Sequence, residues 1–181
     1  MATAGLALKG DMESVFGDLA TAELTNLRII ENTPGTPIPP LLAPFTRQPS
    51  TIISYGQTLQ LAVDVEYGGA WYPALGIEEL EARFFIEGLG QSKEIDVLAS
   101  PVYSAINLAA GLNRITLLSD VLTASPPTVP PAPNNLPEGL YRAGVIVTDR
   151  PDPGPAGVPG GGPVVMGGFV EGLVFKVREA P

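Results

Sequence analysis

The segment QTLQLAVDVEY, residues 57–67, constrains the chain more than any other. Leu59, Leu61, Val63, Val65 and Tyr67 alternate with Gln60, Ala62, Asp64 and Glu66. Successive side chains of a strand point to opposite faces, so this run has one apolar and one mostly polar face, as a half-buried antiparallel strand requires. The same period of two recurs along the chain. In EELEARFFIEG it turns Leu80, Ala82, Phe84 and Ile86 inward and leaves Phe85 outward among Glu81, Arg83 and Glu87. It places Ile115 and Leu117 inward in NRITLLS, and Tyr141, Ala143, Val145 and Val147 inward in EGLYRAGVIVTD. Leu173, Phe175 and Val177 follow it in GFVEGLVFKVRE. Leu27 and Ile29 mark a first short strand, and residues 94–98 a further one.

Between these runs the chain is punctuated by proline and glycine. Residues 33–50 carry Pro34, Pro37, Pro39, Pro40, Pro44 and Pro49 and read as an extended crossover, since proline excludes both helix and central strand. Residues 123–137 form a second proline-rich loop, and residues 150–167 a Gly/Pro loop. No helical spacer is long enough for the crossovers of a parallel sheet. The expected fold class is all-β: a single antiparallel sandwich of about seven strands with a short N-terminal helix and long Pro/Gly-rich loops. The helix is expected from Met12, Val15, Phe16 and Leu19, which recur at helical spacing behind Asp11 as N-cap. The organisation is then an arm with this short amphipathic helix over residues 1–23 and a sandwich domain over residues 24–181.

The stretch PEGLYRAGVIVTD, with an acidic-glycine turn, a tyrosine and alternating apolar residues, resembles the sixth strand of immunoglobulin-like and fibronectin type III-like sandwiches. The resemblance covers roughly residues 24–179. It implies that Tyr141 occupies the tyrosine-corner position, its ring packed and its hydroxyl bonded back to the backbone. It also implies that Ala143 and Val63 stand where antibody domains place a disulfide. Trp71 departs from the pattern, lying in the connection before the third strand.

Composition decides against most chemistry. The chain has no histidine, the commonest general base and metal ligand, and no cysteine, hence no disulfide, thiolate site or thiol nucleophile. Its net charge of −9, with no basic cluster, repels phosphate backbones and anionic membranes, so neither nucleic acid nor membrane insertion is expected. The first residues lack a basic leader followed by an apolar stretch, which predicts a soluble protein made in the cytoplasm without a signal peptide.

Each candidate site has a plain structural alternative. Glu78, Glu79, Glu81, Glu94 and Asp96 offer carboxylate pairs for glycoside hydrolysis, yet read first as solvated strand ends with no accompanying nucleophile or base. Asp149 and Asp152 offer too few oxygens for calcium and read as an Asp-Pro turn. Trp71, Tyr72 and Tyr103 suit an aromatic platform for sugars, or a cap on the open end of a core. Phe16, Leu19, Phe85, Trp71 and Tyr72 are the expected partner contacts, exposed aromatic and apolar groups being the usual anchors. No catalytic, cofactor or metal site is assigned. The expectation is a non-catalytic structural or assembly subunit. It packs on other protein subunits, or on itself, through its arms and loops, as in a capsid decoration or the scaffold of a particle. The alternative is a carbohydrate- or protein-binding accessory module.

Overall fold

The computed structural model describes residues 8–32, 52–75, 77–89, 102–107, 113–128, 134–151 and 160–179. These form an all-β structure of eleven strands in one hydrogen-bonded sheet. In chain order they are β1 (Lys9–Ser14), β2 (Thr21–Asn32), β3 (Ile52–Ser54), β4 (Thr58–Gly68), β5 (Ile77–Leu89), β6 (Val102–Asn107), β7 (Arg114–Leu118), β8 (Leu122–Ala124), β9 (Asn135–Leu136), β10 (Gly139–Arg150) and β11 (Met166–Arg178). The spatial order is β6-β5-β10-β11-β1-β2-β4-β8-β9, with β3 also paired to β11 and β7 to β4. All pairings are antiparallel except β3–β11 and β8–β9.

The sheet curls into an open half-barrel. Tyr67 on β4 thereby reaches Asp149 on β10, four pairings away in the order. The concave face holds one core. Leu59, Leu61, Val63, Val65 and Tyr67 of β4 line one side, and Leu80, Ala82, Phe84 and Ile86 of β5 with Tyr141, Ala143, Val145 and Val147 of β10 line the other. Leu173, Phe175 and Val177 complete it from β11. The Tyr141 ring is fully buried and stacks on Phe175 with centroids 5.5 Å apart, and its hydroxyl donates to the Pro137 carbonyl at 2.7 Å. These are the inward residues that the period of two assigns.

Two expectations are corrected. Among the described residues the strands number eleven, not about seven, because short pairings escape a periodicity search: β3, β8 and β9 have three, three and two residues. The last two lie within or beside the expected loop 123–137. The N-terminal helix is absent, and Lys9–Ser14 is strand β1 followed by a single 3-10 turn, Gly17–Leu19. Strand wins because β1 inserts between β11 and β2, which satisfy its backbone from both sides, whereas an isolated two-turn helix is marginal. Glycines permit the insertion: a Cβ on Gly168 would lie 2.6 Å from the Asp11 carbonyl oxygen and 2.9 Å from Met12 Cα. The expected crossover at 33–50, the expected strand at 94–98 and residues 152–159 of the Gly/Pro loop lie outside the described residues.

Candidate contact surface and a buried carboxyl pair

Strand register gathers several functional candidates at one end of the half-barrel. Ser14 pairs with Met166, Thr21 with Gly68, Asp149 with Met166, and Arg150 with Glu79, so these termini lie together. The Trp71 amide donates to the Leu19 carbonyl at 2.8 Å, and the Leu19 amide to Phe16 at 3.3 Å, which joins the two turns bearing the expected contacts. Trp71 is 55% and Leu19 45% exposed. Phe16 and Tyr72 instead turn partly inward and pack on the core. Tyr72 is therefore not half of a flat platform, and the Tyr103 side chain lies outside the described residues.

Phe85 belongs elsewhere. It stands opposite Gly144 on the convex face, and a Cβ on Gly144 would run into its ring. Phe85 is half-buried there, covering the spot that the glycine leaves bare. Beside Gly144 lies a bulge, since Ala143 faces Leu173 but Gly144 faces Glu171, and the extra residue Gly172 has φ +109°. A positive φ of that size suits glycine alone.

That bulge reverses the facing of the first half of β11. Counting back by twos from Phe175 puts Phe169 in the core; with the bulge, Val170 is buried and Phe169 is 60% exposed. Its cross-strand partner Ile146 is 47% exposed. Val15, at 70%, and Val164 are further exposed apolar residues toward the Trp71 end. Ile146 also walls a depression of about 200 Å³ shared with Glu81, Arg83, Thr148 and Arg150. Sequence reasoning missed Ile146 and Phe169. For Ile146 the signal existed, since the phase that buries Val145 and Val147 turns it outward as it does Phe85. For Phe169 only the glycine at 172 hinted at the change of phase.

Glu78, Glu79 and Glu81 of β5 and Asp149 of β10 are not solvated strand ends. Glu78 and Asp149 are fully buried, and Glu79 and Glu81 nearly so. The physical reason is that β5 lies inside the sheet, between β6 and β10. On the convex face, Glu79 accepts the Gly160 amide at 2.7 Å, and Glu81 pairs with Arg83 and Arg150. On the concave face, Asp149 accepts the Tyr67 hydroxyl at 2.7 Å, and Glu78 lies within hydrogen-bonding contact of Asp149. Burial, then the Asp149 charge, pushes the Glu78 carboxyl up to about 8. Burial also raises Asp149, against the hydrogen bonds from Tyr67 and Glu78. Burial and the Asp149 charge hold the Tyr67 hydroxyl far above its ordinary range. Glu94, Asp96 and Asp152 lie outside the described residues.

A second buried network lies on the convex face of β4. Asp64 accepts from Thr116 at 2.7 Å, Arg114 at 2.6 Å, Asn26 at 3.0 Å and Arg28 at 3.1 Å. Burial alone would raise its pKa, but the hydrogen bonds from Arg114, Thr116 and Arg28 outweigh it and hold the carboxylate below its ordinary value. Among the described residues, no three carboxylates gather as a metal site, and no helix is long and apolar enough to cross a membrane.

No family model, no curated protein and no solved structure matches this chain.

Proposed function

We propose that this chain is an immunoglobulin-like sandwich that acts by contact, packing on other protein subunits without catalysing a reaction. Strand pairing supports the architecture. Grouping β2–β4–β7 as one layer and β6–β5–β10–β11 as the other follows the ABE and C′CFG order of that fold, with β1 stitching the two layers along one side. The Tyr141 bond to Pro137 supports it further, falling at the start of the strand that would be F.

The observation that carries the function is the exposed pair Phe169–Ile146. Two large apolar side chains stand opposite each other on neighbouring strands of an open sheet face, beside a recess able to take a partner's side chain. Burying such groups gives up about 25 cal/mol per Å² of apolar area, and aromatic anchors dominate contact energetics. The convex face of β10 and β11 would then meet a neighbouring subunit, with Val15, Leu19 and Trp71 extending the contact around the end.

Size-exclusion chromatography with light scattering tests this. The chain is expected to run as an oligomer, or to co-elute with its subunits from the native source. Phe169→Asp should abolish the association while leaving the melting temperature within a few degrees of wild type. A clean monomer that retains no companion from its source would sink the proposal. The alternative, a carbohydrate-binding accessory module, draws on Trp71, and a glycan array with Trp71→Ala as control distinguishes it.

A further inference from the structure

We infer that Glu78 and Asp149 share one proton and, with Tyr67, form a proton-held latch tying β4, β5 and β10 together at the Trp71 end of the half-barrel. Three of the four carboxyl oxygens, Glu78 Oε1, Glu78 Oε2 and Asp149 Oδ1, are buried and, among the described residues, have no donor other than each other's acid proton. The fourth, Asp149 Oδ2, accepts from Tyr67. Among the described residues, the strand neighbours of the pair offer nothing to neutralise two negative charges. The cross-strand neighbours are Ala22 beside Tyr67, Leu80 and Met166 beside Asp149, and Ile106 beside Glu78. Titratable and charged groups facing the pair from β2, β4, β5, β6, β10 and β11 are therefore Tyr67, Glu78 and Asp149 alone, among the described residues. Arg150 contributes only its backbone N–H, and its side chain lies on the convex face with Glu79 and Glu81.

Two adjacent carboxylates in such a place do not both ionise. A neutral Glu78 donates its proton to Asp149 Oδ1, and the Asp149 carboxylate receives Tyr67 on its other oxygen. The chain of donors crosses from β5 through β10 to β4, joining the two sides of the core. Removing the proton leaves two buried anions, pushes β5 from β10 and loosens this end. The latch acts whether or not the chain assembles through Phe169.

The folded state holds a proton that the unfolded chain releases in the ordinary carboxylate range, so rising pH removes stability between about 4.5 and about 8. The absence of histidine and cysteine makes this readable, because apart from the terminal amine nothing ordinary titrates between about pH 5 and 8. Urea unfolding of the full chain from pH 5 to pH 9 is the test. The wild-type folding constant should fall on the order of 100-fold between pH 6 and pH 9. Glu78→Gln, whose amide donates as the protonated acid does, should flatten that fall and exceed wild type in stability at pH 9. A flat wild-type profile, or an unchanged slope in E78Q, overturns the latch. If E78Q does not fold, infrared spectroscopy of the wild type at pH 7 decides. A protonated carboxylic acid C=O band supports the shared proton, and its absence refutes it.

Discussion

Asp64 carries the tightest side-chain network described at the residue scale. Its polar position on β4 predicts a solvated carboxylate, yet its side chain and that of Arg28 are 2% and 4% exposed. Removing one charge from a buried, hydrogen-bonded pair strands the other and costs about 3–5 kcal/mol. Asp64→Asn should therefore lower the unfolding free energy by that amount in urea titrations, far more than Glu23→Gln at the exposed Lys9 pair. Tyr141→Phe keeps the ring on Phe175 but deletes the bond to Pro137, and denaturation should register a loss of about 1 kcal/mol. The role of Tyr141 was legible because its donor and acceptor lie four residues apart. That of Asp64 was not, because Arg28 and Arg114 are 36 and 50 residues away. The same holds for Glu78 and Asp149, which read as turn residues until β5 and β10 bring them face to face.

Among the elements, β4, β5, β7 and β10 could be read from their own residues, because each presents a regular apolar face to the core. β1 could not, since Met12 is its one buried apolar residue and its stability comes from neighbours on both sides. Four apolar residues at helical spacing outweighed that in the sequence. The first half of β11 was hidden for a different reason: a single glycine, Gly172, shifts the register and exchanges the faces. The bulge yields a prediction. Gly144→Ala drives a methyl group into the Phe85 ring and should destabilise by about 1–3 kcal/mol. In a Phe85→Ala background the ring clash disappears and the approach to Glu171 Cβ at 2.9 Å remains, so the two substitutions should be non-additive by thermal denaturation, with part of the Gly144→Ala cost retained.

For the whole molecule, the two buried acid networks pull stability in opposite directions. Asp64 titrates below its ordinary 3.8 when folded, so its contribution is present above that value and lost as pH falls through the lowered one. The Glu78–Asp149 latch is fully favourable at acidic pH and lost as pH rises toward about 8. The melting temperature should therefore peak in mildly acidic solution, and a scan from pH 3 to pH 9 by circular dichroism would show it. A maximum at pH 8 or above would contradict the assignment. The architecture also has a temporal side. Met12 pairs with Gly168, so β1 finds its partner on β11 only after every strand described between them has been made. A nascent polypeptide must keep the β11-facing edge of β1 unclaimed meanwhile, and loop closure over so long a separation is slow. Refolding in milliseconds to seconds, limited by this closing stitch, is the cost of joining β1 to β11.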